Sequence, residues 1–257
     1  MTVVATWNVN SIRARLAHLT EWLAHSTPDL VGLQETKVQD HEFPVAELAA
    51  LGYHCVYSGQ KSYNGVAVLA RQPSTPIATA IPGFADEQKR VLAVDCGELA
   101  LVNLYVPNGY EVGSDKYAYK LAWLDALADW LATLLQRHPN LVVIGDFNIA
   151  PDDRDVHDPE AWRGKILCSD AERERLARLT ALGLVDVFRR FEQPPATFSW
   201  WDYRAAGFRR NLGLRIDLIL ASPGLGARAE TCTIDLTPRR WDKPSDHAPV
   251  IARFGAA

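Results

Sequence analysis

Cysteine is scarce in this chain: Cys55, Cys96, Cys168 and Cys232 are the four among 257 residues, and no two share a Cys-x-x-Cys spacing. That pattern excludes a dense disulfide framework and a thiolate zinc site, and it reads as buried thiols in a reducing compartment. No apolar run approaches the roughly 18 residues that span a bilayer, and no low-complexity segment, charge block or linker divides the chain. The N-terminus enters the apolar run Val3–Trp7 without the basic segment, long apolar stretch and cleavage site of a secretory signal. The expectation is one domain over residues 1–257, in the cytoplasm, with no membrane contact. A strong excess of one charge is also missing, the net being −4, which speaks mildly against a nucleic-acid partner. The distribution is uneven, however: residues 1–150 carry 10 Lys+Arg against 15 Asp+Glu, and residues 161–215 carry 11 against 6. A local basic face is therefore available for phosphate. Within it, Arg173, Arg175 and Arg178 read as a solvated helix face.

What is present is an ordinary globular balance, 48% apolar and 23% charged. Short runs rich in Val, Leu and Ile, bounded by Pro, Gly, Asn or Asp, read as strands at 2–7, 29–34, 53–57, 65–70, 91–95, 100–106, 141–145, 215–221 and 249–254. Tyr117, Leu121, Leu124, Leu127, Leu131 and Leu134 recur at helical spacing as one apolar stripe. A second helix over 13–25 turns Leu16, Leu19 and Leu23 inward, and a third starts at Ser169-Asp170 and stops at Gly183. Many strands with few helices between them do not fit a regularly alternating parallel sheet or an eight-fold barrel. They fit packed sheets with helices outside, an α/β or α+β layered fold.

Chemistry-bearing side chains stand at the ends of these runs. Val3–Trp7 ends at Asn8, Leu30–Gln34 at Glu35 and Leu101–Leu104 at Tyr105, while Leu141–Gly145 delivers Asp146 and then Asn148. Asp217 sits inside the apolar run Ile216–Leu220, where a carboxylate is costly unless hydrogen-bonded or paired. Asp246 and His247 precede the last strand, and His247 is a candidate partner for Asp217. Taken singly, Asn8, Asp146 and Asn148 read as turn formers, Glu35 as a surface carboxylate and Tyr105 as a core ring. Taken together, two amides, four carboxylates, a phenol and an imidazole make a hard-cation site with an oriented base, suited to a substrate with negative oxygens.

Four segments, Trp7–Ala14, Gly32–Lys37, Gly145–Ile149 and Pro244–Pro249, resemble the endonuclease/exonuclease/phosphatase superfamily. Phe198–Arg204 followed by Gly213–Asp217 is similar to the exonuclease III branch of abasic-site endonucleases, and the likeness runs in order along essentially the whole chain. The resemblance implies a four-layered sandwich, two mixed β-sheets face to face with helices outside, and a site between the sheet edges. It implies Mg²⁺ or Mn²⁺ held among Asn8, Glu35, Asp146, Asn148, Asp246 and His247. Catalytic roles are implied for Tyr105 and Asn148 on the scissile phosphate and for Asp146 on the attacking water. His247, oriented by Asp217, is implied on the phosphate or as the alternative base. Lys37, Asn108, Trp200, Arg204 and Leu214 are implied on the DNA-binding side, with Trp200 and Leu214 in the pocket for a flipped abasic sugar. Two positions depart from the family pattern: Asn10 stands where some members have Asp, and Ser11 replaces a frequent Gly.

The function so implied is a metal-dependent DNA repair phosphodiesterase that cleaves 5′ to abasic sites, degrades DNA from 3′ ends and cleans those ends. Its partner would be double-stranded DNA with abasic sites or 3′ ends, its state a monomer, and its place the cytoplasm, on the nucleoid if bacterial. A phosphatase or sphingomyelinase-type phosphoesterase of the same superfamily is an alternative. The Phe198–Arg204 segment and the lack of an amphipathic membrane helix argue against it. A non-catalytic nucleic-acid-binding protein is a further alternative, opposed by intact Asp146, Asn148, Asp217 and His247.

Overall fold

The computed structural model describes residues 1–256. The first half of the chain runs β1 (Thr2–Asn8), α1 (Ile12–Ser26), β2 (Leu30–Gln34), α2 (Val45–Ala49), β3 (His54–Ser58), β4 (Val66–Ala70), β5 (Thr75–Ala78), β6 (Val91–Asp95), β7 (Ala100–Tyr105) and α3 (Asp115–Arg137). The second half runs β8 (Leu141–Asp146), α4 (Pro159–Trp162), α5 (Asp170–Ala181), β9 (Val185–Asp186), β10 (Trp200–Trp201), β11 (Gly213–Leu214), β12 (Asp217–Ala221), α6 (Pro223–Ala227), β13 (Ala229–Ile234) and β14 (Val250–Phe254). All nine runs read as strands are strands. The others are β9, β10 and β11, of two residues each and too short to show a period, and the edge strands β5 and β13, whose exposed residues break any apolar alternation.

Two six-stranded mixed sheets form, ordered β13-β14-β1-β2-β4-β3 and β5-β6-β7-β8-β12-β9, with β10 and β11 as a separate hairpin. Each large sheet has one parallel pair, β1/β2 and β7/β8, and each pair is joined by a helix, α1 or α3, because parallel neighbours need a crossover. The period of two along each strand then sorts the side chains. Val4, Leu30, Val66, Leu101, Val142, Ile144 and Ile219 meet between the sheets. Ala5, Trp7, Val31 and Leu33 turn the other way onto Ile12, Leu19, Trp22 and Leu23 of α1. Val102, Leu104, Val143, Leu218 and Leu220 pack on α3 and α5 through Leu124, Leu127, Leu131, Leu176 and Leu179. The result is helix, sheet, sheet, helix.

Gly32 lets the sheets approach, since a Cβ there would lie 2.7 Å from Ile144 Cδ1 and 2.8 Å from Asn103. Buried amides tie them at this level. Asn103 Nδ2 donates to the carbonyls of Leu33 and Ala67 at 2.9 Å each, and Gln34 Nε2 donates to Thr6 Oγ1 at 2.8 Å and to Asn103 Oδ1 at 2.6 Å.

Several expectations are corrected in detail. Leu16 and Leu121 are only half-buried, and α1 instead buries Trp22 while α3 buries Lys120 and Trp123. Cys55 and Cys96 are half-buried, with Cys168 and Cys232 inside, and all four thiols are free. Arg175 and Arg178 of α5 pair with Asp125 and Asp129 of α3, and Arg173 pairs with Asp153, so that face is a seam between helices. Ser169 caps α5 as expected, its Oγ accepting from Glu172 N. Among the described residues no helix is long and apolar enough to cross a membrane.

Candidate active site

Tyr105, Asp146 and Asp217 are direct cross-strand neighbours on β7, β8 and β12. All three continue the inward-facing series of their strands, after Leu101 and Asn103, after Val142 and Ile144, and before Ile219 and Ala221. One row of polar groups thus lies at the inter-sheet face, at the edge of the apolar core. Asn8 ends β1 of the opposite sheet in the same manner, and Glu35 follows β2 at φ 52. The glycine before Asp146 has a local cause. Gly145 lies at φ 145, and a Cβ there would come 1.9 Å from the Leu104 carbonyl oxygen.

Asn8 bridges the two carboxylates across the sheets. Its Nδ2 donates to Glu35 Oε1 and to Asp146 Oδ2 at 2.9 Å each, while its Oδ1 accepts from Asn10 N at 3.0 Å. Asp146 Oδ1 accepts from the backbone of Asn148 at 2.9 Å. His247 is wedged between carboxylates, its Nδ1 2.9 Å from Asp217 Oδ2 and its Nε2 3.7 Å from Asp146 Oδ2. Ser199 Oγ donates to Asp217 Oδ2 at 2.6 Å and accepts from the Ile216 and Asp217 amides at 3.0 Å. Ser245 Oγ donates to Asn8 O at 2.6 Å and accepts from His247 N at 3.2 Å, joining the two ends of the chain.

Burial drives the electrostatics. Desolvation raises the Asp146 carboxyl to about 7; the His247 cation and the Asn8 hydrogen bond work against the rise, and the Asp217 and Glu35 charges add to it. Burial alone pushes the His247 imidazole toward neutrality, but the charges of Asp217, Asp146 and Asp246 and the Asp217 hydrogen bond outweigh it and raise the group to about 10. Desolvation, reinforced by the Glu35 and Asp146 charges, holds the Tyr105 phenol neutral well above its ordinary range. At neutral pH the site therefore offers a carboxylate near its own titration point, a charged imidazole and a neutral phenol donor.

The expected residues do not all meet. Glu35, Asp146 and His247 each bring one ligand atom within 4.8 Å of the others, and Asn8 joins them through its NH₂. Asn148 directs Nδ2 to Val106 O at 2.9 Å and receives Asn108 Nδ2 on Oδ1 at 3.3 Å. Asp246 lies outside that group, accepting from Asn10 Nδ2 at 2.9 Å and from Trp200 Nε1 at 3.0 Å. Lys37 reaches in, its Nζ 2.8 Å from Glu35 Oε2. Arg204 is 91% exposed, Trp200 half-buried, and Leu214 fully buried against Trp200, Val156 and Ile216.

Sequence reasoning missed Lys120 and Glu172. The Lys120 ammonium, fully buried, donates to Glu172 Oε1 at 2.5 Å, to Asn148 O at 2.7 Å and to Asn108 O at 3.1 Å, so it fastens both loops that border the row. The signal was available: position 120 falls on the apolar stripe between Tyr117 and Leu124, and Ser169-x-x-Glu172 is a capping box.

A profile of the endonuclease/exonuclease/phosphatase family matches residues 5–247. The chain is 37% identical over 263 residues to exodeoxyribonuclease III of Haemophilus influenzae, covering 97% of this chain and 98% of that one. Its fold superposes on the 3′ phosphatase NExo from Neisseria, solved bound to a product DNA hairpin, with a TM-score of 0.96, 43% identity and full coverage of both chains. An AP endonuclease from Archaeoglobus fulgidus matches with a TM-score of 0.95 and 37% identity, again over the whole of both. By sequence, fold and the polar row between its sheets, the chain belongs to the exonuclease III branch of the endonuclease/exonuclease/phosphatase family.

Proposed function

We propose that this DNA repair nuclease hydrolyses phosphodiesters 5′ to abasic sites and at 3′ ends, with Mg²⁺ or Mn²⁺, as a monomer. The observation that carries the reading is the row Tyr105, Asp146 and Asp217, completed by His247 and faced by the Asn8–Glu35 clamp. The relatives named for 3′-end and abasic-site activity support the two substrates.

Hydrolysis needs a water in line with the leaving oxygen and donors on the phosphoryl oxygens. Burial raises the Asp146 carboxyl above the ordinary carboxylate range, so its ionised form is basic enough to accept the water's proton. The Asn8 and Asn148 hydrogen bonds fix its orientation. His247, held charged by Asp217, donates from Nε2 to a phosphoryl oxygen, and neutral Tyr105 donates from its hydroxyl. Asn148 uses one amide hydrogen on Val106 O and has the second for phosphate.

Glu35 and Asp146 are carboxylates brought to one point beside Asn8, a donor set that fits a hard divalent cation, which would compete with the Lys37 ammonium for Glu35. When bound there, the ion supplies positive charge to the phosphoryl or leaving oxygen. Recognition runs through the backbone, since the lesion lacks a base, and Arg204 and the neighbouring Arg209 and Arg210 are the phosphate contacts. Purified protein incubated with an abasic-site duplex and a recessed-3′-end duplex, in Mg²⁺ or in EDTA, tests the reading. Cleavage of both only in Mg²⁺ is expected. No cleavage of either, with release of phosphate from an inositol phosphate, would overturn it.

A further inference from the structure

Residues 245–248 bring His247 into the site from outside the helices and the two large sheets, so their backbone groups find partners one at a time. Trp7 Nε1 donates to His247 O at 3.2 Å, Trp201 N to Asp246 O at 3.1 Å, and Ala248 N to Ser199 O at 2.8 Å. Ser245 O is held differently, by a charged side chain: Arg239 Nη1 donates to it at 2.9 Å. Ser245 passes that constraint on, because its Oγ accepts from His247 N and donates to Asn8 O. One residue thus reaches both the imidazole and the amide that clamps Glu35 to Asp146.

Arg239 stands on the turn Pro238–Arg240 between β13 and β14 and is 5% exposed. Its guanidinium carbon lies 4.6 Å from the ring centroid of Phe208, 5.6 Å from that of Trp201 and 6.0 Å from that of Tyr203. Among the described residues it forms no ion pair with a carboxylate, and its buried Nε meets no acceptor. Burial pushes its pKa down from the ordinary value, against the opposing pull of Tyr203 and Asp246. The aromatic faces offset part of that cost. For packing alone an apolar side chain of similar length would serve better, since a buried charge without a counter-charge works against the fold. A guanidinium suits the place for another reason: it lies flat among rings and still donates from its edge.

We infer that Arg239 is a positioning residue of the phosphodiesterase site: through Ser245 it fixes where His247 and Asn8 stand relative to Asp146. It touches neither the phosphate donors nor the paired carboxylates. Without its bond the Ser245 carbonyl is free to turn, and the Ser245 hydroxyl no longer sets the His247 backbone and the Asn8 carbonyl together. His247 Nε2 and Asn8 Nδ2, both aimed at Asp146 Oδ2, then drift by fractions of an ångström. Misplacement on that scale slows the chemical step more than it weakens binding of a long DNA backbone. The inference rests on the nuclease reading and adds to it a residue that acts from behind the site.

The test uses the intact protein with an abasic-site duplex in Mg²⁺. Arg239→Met keeps the length and the apolar contacts with the rings and removes the charge and the donor. It is expected to lower kcat about tenfold or more with KM changed less than about threefold. The urea midpoint of the metal-free variant is expected to stay at or above wild type. Ser245→Ala is expected to lower kcat by a similar factor, and the double variant no further than the slower single one, because both act along one path; independent effects would multiply to about a hundredfold. In metal-free protein the His247 ring resonances are expected to move in both single variants. Wild-type kcat in Arg239→Met, a urea midpoint that falls along with kcat, multiplying effects in the double variant, or unmoved His247 resonances overturn the inference. If Arg239→Met does not fold, Arg239→Lys, which keeps the charge but not the flat fork, enters the same cycle and the same readings decide. Wild-type protein that leaves the duplex uncut overturns the nuclease reading instead, and the His247 resonances then still show whether Arg239 positions the imidazole.

Discussion

His247 Nδ1 lies 2.9 Å from Asp217 Oδ2, with His247 3% exposed and Asp217 fully buried. The imidazole titrates at about 10 because the surrounding carboxylates outweigh the cost of burying its charge. A raised histidine stabilises the fold fully below its unfolded value near 6.5, and that contribution is lost as pH rises from there through about 10. In metal-free protein the His247 ring resonances are therefore expected to stay at their cationic positions from pH 6 to 8.5. Asp217→Asn removes the nearest charge while the burial remains, so the titration moves down into or below the neutral range. An NMR titration that is the same in wild type and variant would reject Asp217 as the group that holds His247 charged.

Asp146→Asn is expected to lower the turnover of DNA at least 10²-fold with little change in affinity, because the proton acceptor is lost while the phosphate donors stay. The same residue predicts a loss of rate as the pH falls and its carboxyl takes up a proton. For stability the sign is the reverse of the usual carboxylate. A folded-state value raised to about 7 means that ionisation works against the metal-free fold from the ordinary range upward. The variant's melting temperature without metal is thus expected not to fall below wild type. A calorimetric scan at pH 7.5 checks this, and a drop of several degrees would show that the charged form supports the fold.

The strands and the polar row are legible because a carboxylate, amide or phenol ends or interrupts an apolar run at Asn8, Tyr105, Asp146 and Asp217, and alternation then sends each to the same face. The supports are less so. Ser199 and Ser245 each make several buried bonds, yet serine is too common in loops to stand out. Arg215 is buried between Asp155, at 2.6 Å, and Asp186, at 2.7 Å, partners 60 and 29 residues away, a separation no local pattern encodes. Edge strands such as β13 alternate Thr and Glu with Cys232 because most of their surface meets water, so no apolar run marks them. Trp200 and Leu214, adjacent in register on the β10–β11 hairpin, are recognisable as a pair only through the family resemblance.

Lys120 and Glu172 are both fully buried, and burial pushes the Lys120 ammonium down against the pull of Glu172. Removing one member leaves an uncompensated charge, so Lys120→Met is expected to cost about 3–5 kcal/mol in urea unfolding. Lys120→Met with Glu172→Leu should recover most of that loss. Activity should not recover with it, because the carbonyls of Asn148 and Asn108 still lack their donor and the loops beside the row lose their anchor. Full recovery of kcat in the double variant would reduce the pair to a folding element.

Gly145 separates two kinds of glycine requirement. At φ 145 it is strained for any side chain, and in addition a Cβ would lie 1.9 Å from the Leu104 carbonyl oxygen and 2.9 Å from its nitrogen, atoms of the backbone that cannot rotate away. Gly113, at φ 87, meets nothing within 4 Å, so Gly113→Ala carries the conformational penalty alone, about 1 kcal/mol. Gly145→Ala adds the collision, which is relieved only by parting β7 from β8 where Tyr105 and Asp146 stand in register. The expected cost is on the order of 3 kcal/mol or more, with a fall in kcat larger than any change in KM because the row itself shifts. Urea unfolding and single-turnover rates on the two variants measure this. If Gly145→Ala loses no more stability than Gly113→Ala and keeps its rate, the close approach of β7 and β8 does not set the geometry of the row.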